Sequence, residues 1–305
     1  MKWKKKPLHI NLEISLACNA RCPFCDYWKV EPTEKTDPGL FVFLRKMNPL
    51  LITISGGEPL LRPDITDYIQ AIKRAVPISH LTLISNASLL DLAMAKKLKS
   101  AGISHLCLSL DYLSSHHDQV RRLPGVYNKL NDLMPCLKDV GFDRISLNTI
   151  IMDSNLRELI PLAYKAFEWG VHINYSSYFF GKNGNEKGKV QPGNISQLEQ
   201  AVQKLRGLKK KLRCISTSDY FFQNVVPYFK GEKIGGCQAG LKWIQVTPDG
   251  MIKRCSEMKP EFHFSQFQQD FKSRFTSTDC TLCLMSCRTE IHAPLNLMRM
   301  KEILS

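Results

Sequence analysis

The chain has 305 residues, 44% of them hydrophobic and 23% charged, a composition typical of a globular protein rather than a disordered one. Its length allows one large domain, or one large and one small domain. No stretch approaches the ~20 apolar residues of a membrane span, and the apolar run after the basic opening is short and contains Glu13, unlike a signal peptide. We therefore expect a cytoplasmic protein, where clustered cysteines are more often metal ligands than disulfides.

The net charge of +14 is concentrated in two lysine-rich segments, residues 1–6 and 204–213. Such segments form either a solvated basic face or a surface that attracts an acidic partner, for example a phosphorylated substrate, an acidic peptide or an anionic membrane surface. The sequence contains no recognised nucleic-acid-binding motif, which argues against a nucleic-acid partner.

Strand-like and helix-like segments alternate six times over the first 180 residues. The strand-like segments are residues 9–15, 51–57, 80–86, 105–111, 144–152 and 171–180, and a helical pattern follows each of the first five or the loop after it. In the third unit, Gly102 marks the end of the helix. Alternation at this spacing predicts βαβ units and a parallel sheet.

The strands alternate between apolar and polar residues instead of being continuously apolar. In the fourth strand His105, Cys107 and Ser109 share one face, and the leucines between them share the other. Helices must cover the apolar faces, so the polar faces line an interior lumen. Six strands are too few for a closed eight-stranded barrel. The predicted fold class is therefore α/β, a partial (β/α)6 TIM-like barrel whose cavity suits a polar ligand.

Two domains are expected. Residues 1–215 form the partial barrel, together with a Gly/Asn/Lys connector at 181–194 and a basic helix after it. Residues 216–305, where cysteines become frequent, form a small C-terminal domain.

Three of the eleven cysteines, Cys18, Cys22 and Cys25, lie within eight residues after the first strand. Soft thiolate ligands select iron–sulfur clusters or zinc. A structural zinc site normally takes four ligands, whereas three thiolates on a cubic cluster leave one iron open for another ligand.

This arrangement resembles the radical S-adenosylmethionine (SAM) enzymes. The cysteine triplet, with Phe24 before its last member, looks like their cluster motif, and "SGGEP" (residues 55–59) after the second strand looks like their glycine-rich motif. The resemblance covers about the first two-thirds of the chain. It implies that SAM binds the open iron of a 4Fe–4S cluster, and that one electron cleaves it to a 5′-deoxyadenosyl radical that abstracts hydrogen from a substrate in the lumen.

The resemblance also implies a set of cofactor-binding residues. Gly56 and Gly57 would let the backbone approach the methionine amino group. Glu58 would orient the same end or serve as a helix N-terminal charge, and Pro59 would stiffen the turn. Phe24 would contact the adenine or pack in the core.

Four further positions resemble cofactor contacts. Ser109 and Arg121 match positions near the cofactor carboxylate, and Arg122 is the alternative to Arg121. Asn86 resembles a "TNG"-like turn in which Ala87 replaces the glycine. Asn148 faces the predicted lumen, where it would contact the ribose.

The closing cysteines resemble the auxiliary-cluster extensions of the same family, called SPASM and twitch. A "TPDG" turn predicts a hairpin that presents the first pair, and the short form of the extension holds one cluster. The expected metal ligands are Cys237, Cys255, Cys280 and Cys283, with Cys287 as a replacement for one of them or a spare. A structural zinc ribbon is the alternative.

The sequence also allows a prediction for two of the remaining cysteines, Cys136 and Cys107. Cys136 is expected to be a buried residue on its helix. Cys107 points to the polar face of its strand and is a candidate hydrogen-atom donor to a substrate radical.

The function predicted is that of an oxidoreductase-like radical SAM enzyme with two 4Fe–4S clusters, reduced by a flavodoxin- or ferredoxin-type protein. The reaction would be oxidation, epimerisation, decarboxylation or cross-linking. Because the first strand begins near residue 9, we expect no leader-binding module, which favours a small or anionic substrate or a peptide bound without one. The alternative is a non-catalytic iron–sulfur or zinc carrier or binding protein.

Overall fold

A computed structural model describes residues 6–31, 36–267 and 280–292, without the side chains of Lys182, Cys287 and His292. Its strands form one mixed sheet in the order β6-β5-β4-β3-β2-β1-β7-β8-β9. The strands are β1 (His9–Ser15), β2 (Leu51–Gly56), β3 (His80–Ser85), β4 (His105–Ser109), β5 (Arg144–Ile151), β6 (His172–Ser177), β7 (Trp243–Val246), β8 (Met251–Lys253) and β9 (Phe262–His263).

Strands β1 to β6 are parallel neighbours in sequence order, as predicted from the alternation of segments. The helices between and after them are α1 (Gly39–Met47), α2 (Ile65–Ala75), α3 (Leu92–Ala101), α4 (His116–Arg121), α5 (Val126–Leu137), α6 (Leu159–Trp169), α7 (Ile195–Leu212), α8 (Asp219–Phe229) and α9 (Ser286–His292). The fold is the predicted partial α/β barrel.

Helix ends follow the local sequence, as α3 illustrates. The Asp91 carboxylate accepts a hydrogen bond from the Met94 amide at 2.6 Å and caps the first turn. Gly102 ends the helix at φ 116°, and its amide donates back to carbonyls of the last turn. The predicted stop at Gly102 is confirmed.

The alternating strand pattern separates core from lumen as expected. Leu106 and Leu108 of β4 are fully buried, as are Ile52 and Ile54 of β2, and these side chains belong to the single large core that the helices cover. The intervening polar residues lie on the opposite face of the sheet. The lumen is this polar inner face, and the residues that end the strands surround its mouth.

The C-terminal part continues the barrel sheet. Strand β7 pairs in parallel with β1, with Ile10 opposite Ile244, and turns into the antiparallel β8 through residues 247–250. The "TPDG" hairpin is therefore confirmed. The division of the chain at residue 215 stays a prediction, although the sheet runs across it.

The expectation for Cys136 is wrong. Its side chain is exposed because the buried face of α5 is formed by Val126, Leu130, Met134 and Leu137, and Cys136 lies off that stripe. In the ranges that the structure describes, no helix has the length and apolar character needed to cross a membrane.

Candidate active site

The loop that carries Cys18, Cys22 and Cys25 leaves the carboxyl end of β1 and is tied to the exit of β2. The Gly57 amide donates to the Ser15 carbonyl at 2.9 Å, and the Glu58 amide donates to the Ala17 carbonyl at 2.7 Å. The segment after β2, residues 56–59, is thereby fixed beside the start of the cysteine loop.

The two glycines are required by this contact between protein segments. A Cβ at Gly56, whose φ is 131°, would overlap the Ser15 carbonyl oxygen, and a Cβ at Gly57 would overlap that of Ala17. From the sequence, the lack of side chains at Gly56 and Gly57 was expected to let a cofactor approach the backbone closely. In the structure the space is taken by the chain itself, so the pair first serves to hold the cysteine loop against β2.

The three cysteine side chains lie close enough to influence one another. Burial raises the pKa of Cys18 to about 11, and the charges of Cys22 and Cys25 act in the same direction. Burial also raises the pKa of Cys22, while the positive charge of Arg121 opposes the rise. Thiols in such a site become thiolates when a metal binds. Among the described residues, no three His, Cys, Asp or Glu side chains are grouped as ligands of a single metal ion.

Glu58 is fully buried and joins the ends of β2 and β3. One carboxylate oxygen accepts from the Leu60 amide at 3.1 Å and from the Ser85 hydroxyl at 2.8 Å, and the other accepts from the Asn86 amide at 2.7 Å. Burial raises the pKa of this carboxyl, and the donated hydrogen bonds oppose the rise. Glu58 also stands at the N-terminus of the short helical turn at Pro59–Leu61, where its side chain accepts from the Leu60 amide, so it serves as the N-cap of that turn as well.

Asn86 closes its own turn and reaches the cysteine loop. Its side-chain nitrogen Nδ2 donates to the side-chain oxygen Oδ1 of Asn19 at 2.9 Å, while its own Oδ1 accepts from the Ser88 backbone amide. Ala87 adopts φ 65°, a conformation that favours glycine. The turn therefore has a left-handed residue at the position where the form that it resembles has glycine, even though alanine stands there.

Arg121 is the buried member of its pair, and Arg122 is exposed. The Nε and Nη2 atoms of Arg121 both donate to one oxygen of Asp111, at 2.9 and 2.7 Å, and the guanidinium lies 5.7 Å from the centre of the Phe24 ring. The other Asp111 oxygen accepts from the Ile150 amide at 2.9 Å. Asp111 belongs to the strand-like segment 105–111, whose polar face was predicted to line the lumen, but its pairing with Arg121 was not predicted.

The middle of the lumen holds a connected polar group. The Asn11 amide donates to the Gln245 oxygen at 3.1 Å, and the Ser55 hydroxyl donates to Asn11 at 2.7 Å. Above them, the Tyr27 hydroxyl donates to the buried Glu13 carboxylate. These side chains come from β1, β2, β7 and the cysteine loop, so they bring the lumen and the cysteine loop together.

The predicted lumen residues of β4 and β5 lie on the inner face. Asn148 is opposite Ser109 in the register and opposite Asn174 of β6. Cys107 is buried, and burial raises the pKa of its thiol to about 11 although a hydrogen bond with Ser146 opposes the rise. The structure thus places Cys107 below Ser109, deeper in the lumen and farther from the strand ends.

The floor of the lumen is a layer of neutral histidines paired with hydroxyl groups. His9 shares a 2.9 Å hydrogen bond with Thr53, and His105 shares one of 2.7 Å with Ser146. Burial lowers the pKa of His9 to about 4 and that of His105 to about 3. The sequence analysis named His105 only for its face and did not identify this layer.

A cavity of about 630 Å³ opens between the cysteine loop, α4 and the connector. Cys22 lines it, and the side-chain amides of Asn183 and Asn185 donate to the Pro23 carbonyl at 2.9 and 2.7 Å, which fastens the connector to the cysteine loop. Arg21 and Lys29 flank the exposed ring of Trp28 at the rim. This opening is basic and lies directly beside the cysteine triplet.

The C-terminal cysteines form a second site. A cavity of about 390 Å³, which we call the auxiliary cavity, is lined by Cys237, Cys255, Cys280 and Cys283, and by Trp243, Arg288, Glu257, Thr281 and apolar side chains. Burial raises the pKa of Cys255 to about 11, and the charge of Cys283 acts in the same direction. Burial also raises the pKa of Cys283, and the charge of Cys237 adds to that rise. These three thiols therefore lie near one another. The side chain of Cys287 lies outside the described residues.

Comparison with known proteins identifies the family. Residues 12–163 match the family model described as the Radical SAM superfamily. The PqqA peptide cyclase of Granulibacter bethesdensis is 25% identical over 273 residues, which is 84% of this chain and 69% of that protein. A GTP 3′,8-cyclase of Trichodesmium erythraeum is 29% identical over 269 residues, 81% of this chain and 77% of that protein. The chain belongs to the radical SAM superfamily.

Solved structures agree with the radical SAM fold. SuiB of Streptococcus suis, bound to the precursor peptide SuiA, superposes with a TM-score of 0.69 at 17% identity over 86% of this chain and 63% of SuiB. The chain thus spans less than two-thirds of SuiB. The structure of anSMEcpe with bound AdoMet has a TM-score of 0.62 at 16% identity, over 82% of this chain and 72% of that one.

As a radical SAM enzyme, this protein binds a 4Fe–4S cluster and SAM. The residues around the cysteine loop fit that pair of ligands. Cys18, Cys22 and Cys25 offer three thiolates from one loop, the number that leaves one iron for SAM. Residues 56–59, which two backbone hydrogen bonds tie to the cysteine loop, and the buried Arg121–Asp111 ion pair lie beside them.

Proposed function

We propose that this radical SAM enzyme abstracts hydrogen from a peptide substrate bound in the lumen. The observation that carries the proposal is the polar inner face of the sheet, where the connected group of Asn11, Ser55 and Gln245 lies below Glu13, which accepts from Tyr27 of the cysteine loop. The bound cluster and SAM supply a 5′-deoxyadenosyl radical when one electron enters. The lumen residues would hold the substrate beneath it and exclude bulk water.

A peptide substrate is supported by two relatives found by different comparisons. One is the PqqA peptide cyclase and the other is SuiB, which was solved with its precursor peptide. The polar lumen offers carboxylate, amide and hydroxyl groups that pair with peptide N–H and C=O groups. The reaction class we propose is oxidation or cross-linking of that peptide.

A small anionic substrate is the second candidate. The net charge of +14 and the basic rim around Trp28 favour a negatively charged ligand. The Trichodesmium relative is named for GTP, so GTP is the defined probe for this alternative.

The same basic rim would also receive an acidic electron donor of the flavodoxin or ferredoxin type, close to Cys22.

The auxiliary cavity is proposed to hold a second 4Fe–4S cluster on Cys237, Cys255, Cys280 and Cys283. Four thiols line one cavity whose volume is about 390 Å³, and thiolate ligands favour such a cluster. Zinc binding by the same four thiols is the competing assignment. Iron and sulfide analysis of anaerobically purified protein should give about eight of each per chain, whereas stoichiometric zinc with about four irons would refute the second cluster.

The test of the function measures 5′-deoxyadenosine from anaerobically reconstituted protein with dithionite and SAM. Peptides encoded beside the gene should increase the yield of 5′-deoxyadenosine. Mass spectrometry of these peptides should show the loss of two hydrogen atoms. GTP is added in a parallel assay. Stimulation by GTP alone, with a modified nucleotide as product, would overturn the peptide assignment in favour of the anionic one. No 5′-deoxyadenosine under any condition would overturn the activity itself.

A further inference from the structure

Two buried N–H groups beside the C-terminal cysteines have no hydrogen-bond partner among the described residues. They are Nε1 of Trp243 and Nε of Arg288. The two residues are 2% and 1% exposed. A buried donor left unpaired destabilises a folded protein, so each such group calls for an acceptor.

Both residues line the auxiliary cavity together with the four cysteines. The Trp243 ring packs in a small cluster with Cys237, and Cys255 and Cys280 pack against that cluster. The unpaired indole N–H is thus held among the thiols that we propose as cluster ligands.

Arg288 is held in place by its other nitrogens. Nη1 donates to the Cys283 carbonyl, and Nη2 donates to the carbonyls of Ile234 and Gly235, the latter at 3.0 Å. The guanidinium therefore clamps two cysteine-bearing segments while it leaves Nε without a partner.

We propose that Trp243 and Arg288 donate hydrogen bonds to the sulfur atoms of the auxiliary cluster and thereby raise its reduction potential. The inference rests on the proposed second cluster. A reduced 4Fe–4S cluster carries one more negative charge than the oxidised one, so N–H donors and a nearby guanidinium stabilise the reduced form more strongly. The thiolate and sulfide atoms are the acceptors that the cavity would offer these two donors.

The test uses the full chain with Cys18, Cys22 and Cys25 replaced by alanine, so that only the auxiliary cluster remains. Into this background we introduce Trp243→Phe, which removes Nε1–H and keeps an aromatic ring. The matched control is Trp169→Phe, because Trp169 is a comparably buried tryptophan on α6. The midpoint potential is measured by redox titration followed by electron paramagnetic resonance.

Trp243→Phe should lower the reduced-to-oxidised ratio at a fixed potential about tenfold, which corresponds to about 59 mV for one electron. Trp169→Phe should leave the ratio unchanged. Equal ratios in the parent, Trp243→Phe and Trp169→Phe proteins, all with about four irons, would overturn the inference and leave the second cluster intact. A parent background without about four irons would overturn the proposed cluster instead.

A second measurement does not depend on the potential. Protein labelled with ¹⁵N in its indole nitrogens should show a ¹⁵N coupling to the reduced auxiliary cluster in pulsed electron paramagnetic resonance. The coupling should persist in Trp169→Phe and vanish in Trp243→Phe. Arg288→Met keeps the aliphatic stem and should also lower the potential. An absent ¹⁵N coupling in the labelled parent would refute the role of Trp243.

Discussion

The two cysteine sites of this chain differ in how their surroundings are satisfied. Around Cys18, Cys22 and Cys25 the buried charged groups are paired within the protein, as Arg121 with Asp111 and Glu58 with three donors show, and the buried atoms without a partner in the described residues are neutral ones such as His117 Nε2. Around the auxiliary cavity, two buried donors have no partner in the described part of the chain. The first site therefore has its buried charges paired by the protein, while the second has a buried guanidinium whose Nε still needs an acceptor.

The difference matches the number of cysteine ligands that we propose for each site. Three thiolates leave an iron for SAM, whose polar end needs a shaped backbone cradle and an adjoining opening. Four thiolates complete a cluster and leave no obligatory open position, so the remaining interactions are those that tune its charge. The comparison predicts that the first site controls SAM cleavage and the second controls what happens after hydrogen is abstracted.

Replacing Cys18, Cys22 and Cys25 together by alanine should have the largest effect. Formation of 5′-deoxyadenosine should fall to the background level, because no ligands remain for the cluster that binds SAM. The auxiliary cluster should keep its visible absorbance, since its proposed ligands come from other segments. Chromatographic assay of 5′-deoxyadenosine with iron analysis checks both, and cleavage retained by the triple variant would contradict the assignment.

Cys255→Ala should separate the two sites. If the auxiliary cluster accepts the electron released when the substrate radical is oxidised, product formation should fall about tenfold or more. Cleavage of SAM uncoupled from product should fall less, because it depends on the first site. Both yields are measured in one anaerobic assay, with circular dichroism as the folding control. An equal loss of both in a folded variant would count against the acceptor role.

The sequence was sufficient for the fold because its strongest signals were local and repeated. Alternating faces along β2 and β4 predicted the lumen, and Gly102 predicted a helix end. Patterns of this kind depend on near neighbours in the chain. The joining of β7 to β1 was missed, since pairing between strands more than 230 residues apart leaves no such pattern.

The site was predicted less completely because partners distant in sequence decide it. Cys136 was expected to be buried from its residue type alone, whereas its angular position on α5 exposes it. Asp111 gained importance only from its contact with Arg121. That Trp243 Nε1 has no partner among the described residues is a property of packing, which no short motif encodes.

Gly57→Ala tests whether the first site depends on close backbone contact. The added methyl group would overlap the Ala17 carbonyl, so the free energy of unfolding should fall by about 1–3 kcal/mol, and SAM binding should weaken. The control is Gly207→Ala on α7, where nothing lies near the added Cβ. That change should stabilise the protein by about 0.5–1 kcal/mol. Urea unfolding and SAM titration are the measurements, and a neutral Gly57→Ala would contradict the proposed contact.

The smallest expected effect concerns pH and the lumen floor, which adjoins the strands of the first site. Burial lowers the pKa of His9 from 6.5 to about 4. Between these values the unfolded chain binds a proton and the folded chain does not, so stability falls as the pH falls below about 6.5. From pH 6.5 to 5 the free energy of unfolding should fall by about 1–2 kcal/mol because of this one group.

His9→Gln offers an amide to Thr53 and removes the titration, so it should reduce this pH-dependent loss of stability, while His116→Gln at an exposed position should not. Urea unfolding at both pH values measures the slopes, and identical slopes in His9→Gln and the parent would show that His9 is not buried in its neutral form.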